Sequence, residues 1–238
     1  MNHTTLLLLL STAPVGIVHT LLGPDHYLPF IALSKSRNWS LGKTAVITAL
    51  CGIGHILSAA VLGIAAVSAG SVLTRLDFIE GARGQIAAWL LIAFGFVYFV
   101  WGLRSAVKNR THTHRHIHHD EPAHSHEHSH AHAHAHIHEG SSPRELTPWV
   151  LFVIFILGPC EPLIPLIMYP AAQNSLATVV LVTLVFGMST LAAMLTVVIS
   201  SSFGLKRLAR FPFFERYGNA LSGGIICSCG MAIAFLGL

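Results

Sequence analysis

The chain has 238 residues, 53% of them hydrophobic and only 10% charged, with a formal net charge of +4. Soluble domains carry about 25% charged residues, so this composition excludes a soluble globular domain and fits an all-α integral membrane protein. The basic residues fall in short loops, which excludes a nucleic-acid-binding surface.

Crossing a hydrocarbon core of about 30 Å takes roughly 20 apolar residues. Six stretches satisfy this, near 4–33, 44–69, 85–104, 148–171, 175–201 and 218–238. The first opens on Leu6 to Leu10 with no basic residue before it, unlike a secretory signal peptide. It is therefore expected to be a retained helix. It is interrupted at Gly23-Pro24, directly before Asp25 and His26, with His19 upstream. On a continuous helix the seven-residue spacing of His19 and His26 means about 10.5 Å of rise. One metal at imidazole distances of about 2.0–2.1 Å could not bridge that; a break at Gly23-Pro24 could shorten it. The second span carries Cys51 and His55 one turn apart on one face.

After the third span, residues 107–146 leave the membrane pattern. Thirteen of the seventeen histidines lie between His112 and His138, densest at His124, His126, His128, His130, His132, His134, His136 and His138. A segment this poor in large apolar residues is expected to be disordered, and His-rich tracts read as metal binding. Neutral imidazole is the ligand form, so binding should weaken below about pH 6.5.

The fourth span repeats the break of the first, as Gly158-Pro159-Cys160-Glu161-Pro162. Asp25 and Glu161 are the only carboxylates placed inside apolar spans by this reading, and an ionisable group at membrane depth marks an ion or substrate path. Met188 in span five is a weaker candidate ligand, and Cys227 and Cys229 in span six read as packing residues. The halves align at an offset of 133 to 135: Gly23-Pro24 with Gly158-Pro159, Gly54 with Gly187, Gly84 with Gly218, and Gly102 with Gly237. Asp25 then falls opposite Cys160, and His26 opposite Glu161. Three spans per half make the halves inverted, an architecture recurrent in transporters. The expected organisation is two three-helix repeats, 1–106 and 147–238, around a His-rich segment at 107–146, with helices one and four broken. Twelve basic residues in the loops after spans one, three and five stand against Arg75 and Arg83 on the other side. The positive-inside asymmetry puts both termini outside and the His-rich loop in the cytoplasm of a bacterial or archaeal plasma membrane.

His19-x5-Asp25-His26 followed by Gly52-Ile53-Gly54-His55 resembles the nickel/cobalt transporter superfamily, in its NicO and UreH-like branch. The resemblance implies that His19, Asp25, His26 and His55 serve metal passage, and the His-rich loop is similar to those of efflux members. The expected function is a secondary transporter, not an enzyme, exporting nickel or cobalt, with zinc a further candidate, against protons. Its partners would be the metal ion, protons and lipid, with no permanent cofactor. Cys160 and Glu161 join the expected metal-site residues through the repeat alone. Three alternatives stand beside it. A thiol–disulfide electron carrier of the CcdA or DsbD type fits Pro159-Cys160, although the position facing Cys160 is Asp25. A cation-diffusion zinc exporter would want paired carboxylate and histidine sites four apart, which this chain lacks. A metal-binding accessory protein of urease or another metalloenzyme would bind without transport.

Overall fold

The computed structural model describes residues 3–68, 73–108, 112–116, 124–128, 143–173, 175–208 and 212–237. It is a helical bundle. Helix α1 (His3–Leu22) gives way to a single 3-10 turn at Pro24–His26, and α2 (Leu28–Ser36) resumes the path. Helices α3 (Leu41–Ser68) and α4 (Leu73–Lys108) follow. The second half contains α5 (Pro143–Leu157), α6 (Leu163–Ala172), α7 (Leu176–Leu208) and α8 (Pro212–Leu236). Among the described residues five helices (α1, α3, α4, α7 and α8) are long and apolar enough to cross a membrane. Helices α5 and α6 are shorter apolar pieces, because the expected fourth span is cut at 158–162.

Both cuts have the same cause. Proline lacks the N–H that a helix interior needs and clashes with the preceding turn. Gly23 makes the last α-helical bond, its N–H reaching His19 O at 3.0 Å. The His26 N–H then bonds Gly23 O at 3.1 Å, tightening the chain into the 3-10 turn. At the second cut Gly158 N–H reaches Ile154 O at 2.9 Å and Phe155 O at 3.1 Å, and regular bonding resumes only past Pro162.

Helix α4 lies along α8 and α1 along α7, while α3 packs against α5, α6 and α7. Small residues let the first pair approach. A Cβ on Gly223 would meet the backbone of Phe99, and one on Gly95 the backbone of Cys227. Such contacts are how membrane helices associate when lipid tails are as apolar as the side chains. Two buried apolar clusters result. One centres on Phe30, Leu33, Leu91, Leu151 and Met194 and includes Cys51 and Cys229. The other gathers Leu163, Ile167, Val182 and Phe186 around Cys160. Large apolar side chains such as Val61, Trp89, Val97, Leu184 and Phe235 point outward, as an integral membrane protein requires.

Three expectations change. Part of the His-rich segment, expected to be disordered, forms a two-stranded antiparallel hairpin, β1 (His112–His116) with β2 (His124–His128). Its register sets His112 opposite His128, His114 opposite His126 and His116 opposite His124. Strict alternation of His with other residues has the period of a strand. The third span also starts earlier than 85. The apolar span runs from Phe78 to Lys108, taking in Glu80 and Arg83. Asp25 and Glu161 are thus not the only carboxylates in an apolar span, and Arg83 is not a loop cation. Met188 is 72% exposed and faces away from the bundle interior.

Candidate functional site

The first break solves the spacing problem of His19 and His26. The 3-10 turn folds His26 back against the end of α1, so their ring centroids lie 4.7 Å apart, edge to face. Helix α3 brings His55 to within 5.2 Å of His26 and 6.5 Å of His19. One ring nitrogen from each of the three lies within 4.8 Å of the others. His26 and His55 are buried and His19 is half-buried.

The hydrogen bonds show which ring nitrogens are already engaged. His26 Nδ1 is 3.1 Å from Gly23 O and 3.1 Å from Asp25 Oδ1. His55 Nδ1 is 3.1 Å from Phe155 O. A carbonyl only accepts, so each Nδ1 carries the proton and each Nε2 keeps a lone pair. The Nε2 atoms of His19, His26 and His55 are all buried and, among the described residues, have no hydrogen-bond partner. A buried polar atom without a partner costs about 1–3 kcal/mol, and three on neighbouring rings call for a shared ligand. Metal-binding histidines almost always donate their other nitrogen to a carbonyl or carboxylate, the arrangement seen at His26 and His55. Ligands at about 2.0–2.1 Å from one ion sit roughly 3.4 Å apart, so the rings need close by only about 1.4 Å. The residues fit a transition metal.

The other expected site residues fall in different places. Asp25 does not join the three; it sits behind His26 and orients its ring. Glu161 is exposed and lies across a cavity of about 660 Å³ whose lining includes His19, Asp25, His26, Gly81 and Pro159. The two breaks therefore face one cavity. Cys160 is fully buried among Leu163, Ile167 and Phe186. Among the described residues all four cysteines are free thiols. His124, His126 and His128 lie in β2, whereas His130, His132, His134, His136 and His138 lie outside the described residues.

Glu80 and Arg83 were not expected here. Glu80 is 1% exposed and pairs with Arg83 one turn on. Their i, i+3 spacing is the one signal by which sequence reading could have found a self-neutralising pair inside a span.

Together these features define a polytopic α-helical membrane protein with a buried imidazole cluster at a broken helix. The family described as cytochrome C biogenesis protein transmembrane region matches residues 28–232, and the chain belongs to it. No curated protein and no solved structure matches the chain. The family match overturns the resemblance to the nickel/cobalt transporter superfamily, and with it the expected nickel or cobalt efflux. The misleading stretch is short. His19, Asp25 and His26 precede the matched region, and a Gly-Pro break beside polar groups recurs wherever backbone lines a cavity at membrane depth.

Proposed function

We propose that the chain is a membrane electron carrier of the cytochrome c biogenesis class whose working centre is the imidazole cluster of His19, His26 and His55. The observation that carries this reading is the gathering of three imidazoles, one ring nitrogen of each within 4.8 Å of the others, whose Nε2 atoms are buried and without a hydrogen-bond partner among the described residues. The family supplies the class. In this reading the chain forms six membrane-crossing segments in two inverted halves. The succession of a broken segment, a long helix and a long helix, met first in α1 to α4 and again in α5 to α8, supports it. The termini face outward and the His-rich segment faces the cytoplasm, in line with the basic residues at Lys35, Lys43, Lys108 and Arg144.

Imidazole ligands suit copper, iron, zinc and nickel. A bound copper or iron ion would supply one-electron chemistry, whereas zinc has none. The protein's own part is to hold the three lone pairs. Gly23 O and Asp25 fix the His26 ring, and Phe155 O fixes the His55 ring. Phe186 packs 6.1 Å from His19 and Phe155 6.4 Å from His55, giving the cluster an apolar flank. The cavity between the breaks gives a redox partner its approach to His19 and His26.

A second reading, a thiol–disulfide carrier, is favoured by the family and by Cys160 directly after the Gly158-Pro159 break. It needs a second thiol with its Cα within about 7 Å. The counterpart position holds Asp25, Cys51 and Cys229 belong to the other apolar cluster, and Cys227 lies on α8 where it packs against Gly95 of α4. The test is copper-loaded purified protein followed by electron paramagnetic resonance during reduction and reoxidation. A redox-responsive signal with nitrogen couplings, beyond what the His-rich segment leaves in His19→Leu and kept in Cys160→Ser, supports the imidazole centre. Electron transfer that survives His19→Leu and vanishes in Cys160→Ser would replace it with the thiol carrier.

A further inference from the structure

We propose that Glu80 and Arg83 are positioning residues for His55, acting through the second break; the functional consequence rests on reading the three histidines as a ligand set. The last carbonyls of a helix have no partner within it. Those of α5 are taken up by α3 and α4. Arg83 Nη2 donates to Ile156 O at 2.7 Å and to Ser58 Oγ at 2.9 Å, and it lies 3.5 Å from Gly158 O. Arg83 Nη1 pairs with Glu80 Oε1, and the other Glu80 oxygen accepts the Cys160 N–H at 3.3 Å. The pair thus grips the break on both sides of Pro159.

His55 hangs on the same turn. Its Nδ1–H donates to Phe155 O, one residue before the carbonyl that Arg83 holds. Ser58 Oγ lies 2.8 Å from His55 O and 2.8 Å from Ile156 O, so the hydroxyl ties His55's own helix to that turn. Gly158 N–H also bonds Phe155 O, at 3.1 Å. A shift of residues 156–160 therefore turns Phe155 O away from His55. The ring then loses the bond that keeps its proton on Nδ1 and its lone pair on Nε2. A buried ion pair is an expensive way merely to seal a helix end, because desolvation offsets its attraction. The planar guanidinium reaches Glu80 with one nitrogen while the other holds Ile156 O and Ser58 Oγ, a spread geometry that the compact ammonium of a lysine does not reproduce.

The experiment reads the His55 ring directly in metal-free protein, by nitrogen-15 magnetic resonance in lipid, at a pH where the imidazoles are neutral. The native protein should show His55 wholly protonated at Nδ1. Arg83→Lys and Ser58→Ala should give a mixture of tautomers at His55 while His26, held by Gly23 and Asp25, is unchanged. Zinc titration of the same samples, against His19→Leu as the blank for the His-rich segment, should show affinity down about 10- to 100-fold. If Arg83→Lys does not fold, Ser58→Ala decides alone, since it leaves no unpaired buried charge. A folded variant with native His55 shifts would overturn the positioning role. Native protein that binds no zinc beyond the blank would sink the ligand reading instead, and the tautomer result would still stand or fall by itself.

Discussion

Replacing His19 with leucine separates a binding centre from a structural one. The His19 Nε2 atom is buried and unpartnered, and among the described residues its ring makes no hydrogen bond, only contacts with His26, His55 and Phe186. In the metal-free protein the substitution removes an orphaned polar atom and breaks no bond. The relief is about 1–3 kcal/mol. A chain of this size gains roughly 2–4 °C in Tm per kcal/mol, so His19→Leu should unfold about 2–12 °C above the native protein in chelator. Leucine at position 55 should gain less, because it forfeits the donation to Phe155 O. Zinc, a redox-inert probe, should stabilise the native protein by about 2.7 kcal/mol at a hundredfold excess over Kd. It should add far less to His19→Leu, where the cluster keeps only His26 and His55 beside the His-rich segment. Thermal unfolding of purified protein, with and without zinc, measures all of this. A His19→Leu protein that is destabilised in chelator yet keeps the full zinc shift would refute the reasoning.

Two other substitutions probe the frame and the orientation of the site. A Cβ on Gly223 would press into Phe99 N and lie 2.6 Å from Phe99 Cα and 2.8 Å from Gly95 O, all backbone atoms, so α4 and α8 must part to reach ordinary contact. Gly223→Ala should therefore cost about 1–3 kcal/mol by overpacking, whereas Gly218→Ala, with open space around it, should gain up to about 1 kcal/mol from helix propensity; equal unfolding temperatures would contradict the close α4–α8 packing. Asp25→Asn keeps an oxygen for His26 Nδ1 and should hold zinc near native strength, while Asp25→Ala should weaken it about 10- to 100-fold. Isothermal titration distinguishes these, and equal loss in both would mean that Asp25 acts through its charge.

Much of the site could be read from residue types. The Gly-Pro pairs at 23–24 and 158–159 break the helices where expected, and the first break draws His19 and His26 together. His55 joins them through the packing of α3, which its place in a long apolar span could not reveal. Glu80 and Arg83 escaped because hydropathy alone starts the third span after them; paired, they enter the bundle. Met188 is a candidate ligand by residue type, yet α7 turns it outward. Asp25 and Glu161 looked alike in sequence, but one is tied to a ring nitrogen and the other lies exposed across the cavity. Family membership was not legible in the short histidine motif, since it rests on the long stretch 28–232.

The most direct test of the central claim is electron transfer across the membrane. The copper-loaded protein is reconstituted in liposomes holding oxidised cytochrome c, an impermeant reductant is added outside, and reduction of the trapped haem is followed. The account predicts reduction that needs copper and is lost in His19→Leu, His26→Leu and His55→Leu but kept in Cys160→Ser. Reduction that persists without metal and without the three histidines would contradict it.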